Sequence, residues 1–218
     1  MKIKDYACYL FDADGTLLDT TELIYQSFIF TCRKYGGFEI SRERVTDNIG
    51  LTLRRQTELY LGPLDDERFA TIGGDHMKYQ LSIYPQYLRL FPGVAEGLGL
   101  LRSRGKRCAI VTSRRRETLE LYLRETGIFE YFDALITPES TAKHKPDPEP
   151  VLAALSQLKV TDKASVLLVG DSGFDIECGS SAGVDTAYVN RSHNDSLTLA
   201  TRPTYVIDDF MQICAETA

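Results

Sequence analysis

Six short apolar segments recur along this chain with amphipathic stretches between most of them, and that alternation limits the possible folds more than any other feature. The segments run from Ala7 to Phe11, Arg107 to Thr112, Ala134 to Thr137, Ser165 to Gly170, Thr186 to Val189 and Tyr205 to Ile207. Each has strand length and is rich in apolar, often β-branched residues, the pattern of strands buried on both faces. The intervening stretches Val94 to Arg104, Glu117 to Glu125, Glu149 to Leu158 and Asp175 to Ala182 repeat apolar residues at helical spacing. Strand and helix in alternation predict an α/β fold, a parallel sheet covered by helices on both faces.

Residues 19–87 depart from this pattern, carrying helical periodicity and no strand. A first helix holds Leu23, Phe28 and Phe30 and ends at Gly36-Gly37. Further helices are expected at Arg42 to Asp47, Leu53 to Leu61 and Asp66 to Leu81, with Gly62-Pro63 and Gly73-Gly74 as interruptions. Phe91-Pro92-Gly93 marks the return to the alternating pattern. The expected division is therefore a core of residues 1–18 and 88–218 with an inserted all-helical cap of residues 19–87. A chain of 218 residues is long enough for both.

Bulk properties narrow the function. With 31 acidic against 25 basic residues the chain carries a net charge of −6, which argues against a nucleic-acid partner. No apolar run approaches the roughly 20 residues of a membrane span. Met1-Lys2-Ile3-Lys4-Asp5 leads directly into the first strand, so a cytoplasmic location is expected. Cys8, Cys32, Cys108, Cys178 and Cys214 are odd in number and widely spaced, and are expected as buried, reduced thiols.

Four strand ends carry the candidate chemistry. After the first strand, Asp12-Ala13-Asp14-Gly15 sets two carboxylates on one turn, where open α/β sheets place their ligands. The pair reads either as an Asx turn or as an acidic site around a hard divalent cation. After the second strand, Thr112 and Ser113 stand before a helix, as a phosphate cradle or, for Ser113, as a helix cap. Arg114, Arg115 and Arg116 follow, facing either a bound anion or Glu117 and Glu120; the second is expected for at least two of the three. The third place is Lys143-His144-Lys145-Pro146-Asp147-Pro148, a stiff loop able to aim the Lys145 ammonium at a phosphoryl group, with His144 an exposed neighbour. His76 and His193 make no ligand spacing with it. At the fourth, Gly170-Asp171 ends a strand and Asp175 lies one helical turn on, so both acids can face one point, as Mg²⁺ prefers. Asp171 as a plain N-cap is the alternative.

In their order and placement these residues resemble the haloacid dehalogenase-like superfamily of phosphohydrolases. Asp12-Ala13-Asp14-Gly15-Thr16 is similar to the first family motif, Thr112 to the second, Lys145 to the third, and Gly170-Asp171 with Asp175 to the fourth. Phe91-Pro92-Gly93, Lys145-Pro146-Asp147-Pro148 and Ser181-Ala182-Gly183-Val184 also resemble the phosphoglycolate phosphatase and β-phosphoglucomutase branch, which carries a helical cap between the first two motifs. The resemblance implies a Rossmann-like core with that cap and Mg²⁺ as cofactor. It implies Asp12 as the nucleophile that becomes an aspartyl-phosphate, and Asp14 as the acid and then the base. Asp12, Asp14 through its carbonyl, Asp171 and Asp175 would serve the metal, and Thr112, Ser113 and Lys145 the phosphate.

The expected activity is hydrolysis of small phosphate monoesters, with a phosphoglucomutase-like transferase or an inorganic pyrophosphatase as alternatives. The partner is a small phosphorylated metabolite. Selectivity is expected in the cap, where Gly50-Leu51-Thr52-Leu53-Arg54-Arg55 reaches the site and Arg54 or Arg55 contacts an anionic leaving group. An Arg54 paired with Glu58 is the competing expectation.

Overall fold

The computed structural model describes residues 3–190 and 199–214. The core strands are β1 (Cys8–Phe11), β4 (Arg107–Val111), β5 (Ala134–Ile136), β6 (Val166–Gly170), β7 (Asp185–Val189) and β8 (Tyr205–Ile207). All are parallel, in the order β5-β4-β1-β6-β7-β8. The six expected strands are thus present, each within a residue of its predicted bounds. β1 sits centrally with β4 and β6 as neighbours, so the ends of these three strands open side by side. A reversal of strand order of this kind creates the crevice in which α/β proteins bind ligands.

Helices α5 (Val94–Ser103), α6 (Arg116–Glu125), α7 (Glu149–Leu158) and α8 (Gly173–Ala182) link the strands. Alternate strand residues feed two separate apolar clusters. Tyr9, Phe11, Ile110 and Val169 pack with Leu98, Leu119 and Phe210 on one face. Leu10, Ala109, Val111 and Leu168 pack with Val151, Leu155 and Cys178 on the other. This two-sided burial is why the strands read as continuous apolar runs. All five cysteines are buried and free.

The insert contains α1 (Thr21–Thr31), α2 (Arg42–Thr46), α3 (Leu53–Leu61) and α4 (Asp66–Tyr87). It has its own cluster of Ile24, Phe28, Cys32, Ile40, Val45, Ile49 and Tyr60. A short antiparallel ribbon, β2 (Leu18–Asp19) with β3 (Arg89–Leu90), closes it at the base. That ribbon has no counterpart among the predicted elements, being too short to show periodicity.

One local expectation is corrected. Gly73-Gly74 does not interrupt α4, which runs 22 residues through both glycines and Pro85. Each glycine costs a helix about 1 kcal/mol, and α4 offsets this by packing along α1 and burying Ile72, His76 and Gln80. The first helix ends its regular turns at Thr31 and continues as a π-helical turn to Gly36, with left-handed Gly37 beyond. Among the described residues no helix is long and apolar enough to cross a membrane.

Candidate active site

The end of β1 sets the geometry of the first turn. The Asp12 N–H continues the β1–β6 ladder by donating to the Val169 carbonyl at 2.9 Å. The chain then turns at Gly15, with φ of 83°. A Cβ there would stand 2.0 Å from Asp171 Oδ2, so both the backbone conformation and the neighbouring acid exclude a side chain.

Asp12, Asp171 and Asp175 converge with Lys145, all of them buried. The Lys145 ammonium donates to Asp12 Oδ1 at 2.8 Å and to Asp175 Oδ1 at 2.6 Å. Asp175 Oδ2 accepts from the Ser172 hydroxyl at 2.5 Å and from its N–H at 3.2 Å, in a capping box that opens α8. Both oxygens of Asp175 therefore have protein partners. Ser172, not Asp171, caps the helix. Asp171 Oδ1 accepts from the Thr16 hydroxyl at 3.1 Å.

Burial pushes the Asp12 carboxyl up to about 7, with Lys145 opposing and Asp175 and Asp14 reinforcing the rise. Burial likewise holds Asp171 well above the usual carboxylate range, aided by Asp12 and Asp175. Burial alone would lower Lys145, but Asp12 and Asp175 outweigh it and keep the ammonium charged. Three carboxylates against one ammonium is an excess of buried negative charge that asks for a cation. One oxygen each from Asp12, Asp171 and Asp175 lies within 4.8 Å of the others, an all-oxygen donor set that fits a hard divalent ion such as Mg²⁺.

The Asp14 carboxylate is not part of that group. It turns toward Arg114, whose Nε lies 3.0 and 2.8 Å from the two Asp14 oxygens and whose Nη2 lies 2.7 Å from Oδ1. The Thr20 hydroxyl adds a bond to Oδ1 at 2.5 Å. Arg114 is itself buried, stacked 4.7 Å from the centre of the Tyr122 ring. Its Nη1 reaches Gln80 of α4 at 3.1 Å and the Thr118 hydroxyl at 3.4 Å. Helix α4 of the insert thus touches the arginine that holds Asp14. This place for Arg114 differs from the outward pairing expected of most of the three arginines, although the sequence carries a signal for it. Arg116 finds Glu120 four residues on, at 3.3 Å, whereas Arg114 has only Thr118 at that spacing. Arg115 turns outward to Glu139 at 3.5 Å.

The remaining predicted residues separate. Thr112 is buried and its hydroxyl accepts from the Arg114 N–H at 3.2 Å. The Ser113 hydroxyl does not cap α6, which starts at Arg116; it donates to the Gly50 carbonyl at 2.5 Å, joining the insert to the core. Arg54 is engaged with Glu58 at 3.0 Å, Asp66 at 2.6 Å and the Leu64 carbonyl at 3.0 Å. Arg54 and Arg55 line an outer groove with Glu58, Phe69 and His144, not the wall beside Asp12 and Asp14. His144 is half-buried rather than exposed. Burial, with Arg114 contributing, pushes His76 down to about 3, so it is a neutral residue of the cavity wall. His193, Met1 and Lys2 lie outside the described residues.

Between insert and core lies a cavity of about 60 Å³ whose walls include Asp12, Asp14, Gln56, Gln80, Thr112 and Arg114. Acids at adjacent strand ends, a buried lysine and helix α4 meet at this cavity, an arrangement able to support anion chemistry around a cation.

Residues 9–189 match the family model of haloacid dehalogenase-like hydrolases, and the chain belongs to that family. It is 36% identical over 205 residues to a protein of Caldanaerobacter subterraneus named as a pyrophosphatase PpaX by assignment, covering 94% of this chain and 91% of the relative. Pyrophosphatase PpaX of Bacillus velezensis is 33% identical over 217 residues, covering 95% and 94%. Among solved structures, a haloacid dehalogenase-like hydrolase from Bacteroides fragilis superposes with a TM-score of 0.88 at 28% identity, covering 95% of this chain and 99% of the other.

Proposed function

We propose that this protein is a Mg²⁺-dependent phosphatase that hydrolyses small phosphorylated metabolites through a phosphoryl group carried on Asp12. The observation that supports this most directly is the buried meeting of Asp12, Asp171 and Asp175 around the Lys145 ammonium. Residues 19–87 serve as a cap over a core of residues 1–18 and 88–218.

In the first step an Asp12 oxygen attacks phosphorus and the bond to the leaving oxygen breaks, while Asp14 gives that oxygen a proton. In the second step water attacks the phosphoryl group, its proton passes to the Asp14 carboxylate, and phosphate leaves with Asp12 restored. Lys145 faces the charge that develops on the phosphoryl oxygens, and Asp175 keeps the ammonium aimed. The Thr112 hydroxyl lies on the same wall and serves as a phosphate contact. Asp12, Asp171 and the Asp14 carbonyl would hold Mg²⁺, with Asp175 beside them, and the ion would supply further neutralisation of the phosphoryl oxygens. Asp14 reaches the leaving oxygen only after its bonds to Arg114 and Thr20 loosen, so substrate entry and proton delivery are linked.

A pyrophosphate substrate is the second reading. The relatives from Caldanaerobacter and Bacillus are named for that activity. The test is phosphate release from pyrophosphate, phosphoglycolate and an aryl phosphate, with and without Mg²⁺. Asp12→Asn is expected to abolish release from all of them; unchanged release in a pure preparation refutes the assignment. Isomerisation of a sugar phosphate without release would instead identify a phosphotransferase.

A further inference from the structure

Leu53, Ser113 and Arg115 line both the cavity beside Asp12 and the outer groove, which has a volume of about 510 Å³. The two spaces therefore adjoin along these residues, and a substrate longer than the inner cavity can continue into the groove. Charge is unevenly distributed along that path. The insert's share of the cavity wall, which includes Ile24, Phe28, Gln56 and Gln80, carries none, His76 being neutral. Arg114 spends its guanidinium on Asp14, Gln80 and Thr118.

Arg115 is less committed. Its side chain is 54% exposed, and its Nε stands 3.5 Å from Glu139 Oε1, beyond ordinary hydrogen-bond distance. Glu139 lines the groove and not the cavity, so this pair sets the guanidinium on the groove side of the junction. An exposed ion pair of that length holds its partners weakly. Glu139 also accepts from the Arg116 N–H at 3.3 Å, so it keeps a donor when Arg115 leaves. A ligand carboxylate or phosphate that meets the guanidinium with two oxygens at hydrogen-bond distance binds it better than Glu139 does. Of the two insert arginines expected to meet an anionic leaving group, Arg54 is committed to Glu58, Asp66 and the Leu64 carbonyl. The Arg55 guanidinium has no partner among the described residues and lines the same groove.

We infer that Arg115 selects substrates whose leaving group carries a second anionic group, a carboxylate or a phosphate: it exchanges Glu139 for that group at the mouth of the groove. This role presupposes the phosphatase reading above and adds the chemistry of the part of the substrate that departs. Arg55 supplies a second positive charge from the insert's side of the groove.

The test compares 3-phosphonooxypropanoate with its carboxamide, equal in heavy atoms but uncharged at the far end, in the Mg²⁺-loaded full chain. Wild type is expected to favour the carboxylate in kcat/KM, and Arg115→Gln to lower that preference about tenfold through KM, the effect of one lost charge-assisted hydrogen bond. Arg115→Lys is expected to retain part of the preference. Glu139→Gln removes the competing anion and is expected to lower KM for the carboxylate about two- to threefold, as suits a weak exposed pair. In Arg115→Gln, a larger loss with propane-1,3-diol bisphosphate than with the carboxylate identifies phosphate as the second anion, and a smaller loss identifies carboxylate. A wild type without preference for the carboxylate, or a preference unchanged by Arg115→Gln, overturns the inference and leaves the phosphatase reading standing. Release of phosphate from no phosphorylated compound would defeat that reading, and this inference with it.

Discussion

Replacing Arg114 tests whether the arginine holds Asp14 or merely fills space. Arg114→Met keeps most of the aliphatic stem and removes the guanidinium, leaving the Asp14 carboxylate with its hydrogen bond from the Thr20 hydroxyl. The pair is well shielded, the side chains being 5% and 12% exposed. Breaking a buried ion pair on one side costs about 3–5 kcal/mol, because the other charge stays buried without compensation. In a domain of this size that corresponds to a fall in Tm of roughly 6–20 °C. Asp14→Asn in the same background removes the stranded charge, so the double variant should recover a large part of the loss.

The assay is a double-mutant cycle in urea at pH 7 without divalent cation, using wild type, Arg114→Met, Asp14→Asn and the combination. A coupling energy of about 2 kcal/mol or more is expected. Additivity within about 0.5 kcal/mol would mean that the two side chains are energetically independent, and would refute the role assigned to Arg114. The same proteins report on Gln80, which offers its carbonyl oxygen to Arg114 at 3.1 Å. If the insert senses Asp14 through this arginine, Gln80→Leu should weaken the measured coupling.

Three further outcomes follow from the acidic cluster. Without divalent cation at pH 8, Asp12→Asn should raise Tm by a few degrees while abolishing phosphate release, because it removes one of three carboxylates that share a single ammonium. A shift of Asp12 from 3.8 to about 7 sets a ceiling near 4 kcal/mol, lowered by the partner that Lys145 loses. The sign follows from linkage: a carboxyl raised in the folded state holds more protons there than when unfolded, so its contribution is fully present below about 4 and is lost as pH climbs through about 7. The Tm advantage of Asp12→Asn should therefore vanish by pH 4–5, and an advantage constant with pH would contradict the raised Asp12. Mg²⁺ binding should expel protons, more at pH 6 than at pH 8.5, measurable by titration calorimetry in two buffers of different ionisation heat; equal release at both pH values would refute the shift. Gly15→Ala should lose Mg²⁺ affinity and activity together, since a Cβ would stand 2.0 Å from Asp171 Oδ2; wild-type affinity in that variant would contradict the close approach.

What was legible in the sequence and what was not divides by whether the cause is local. The strands β1, β4 and β6 could be read because each is buried on both faces, which leaves only apolar residues for several positions in a row. The meeting of Asp12, Asp171 and Lys145 could be read because strand ends and a proline-stiffened loop place them wherever the sheet forms. Gly73-Gly74 misled because local propensity predicts a break, while the burial of Ile72 and His76 against the rest of the insert decides otherwise. The fate of the three arginines depended on what lay across the cleft: Glu139 and Glu120 draw two of them out, and the third meets Asp14, 100 residues away in sequence. The acidic cluster is thus placed by the sheet, whereas the arginine that meets Asp14 is placed by contacts between the strand ends and helix α4.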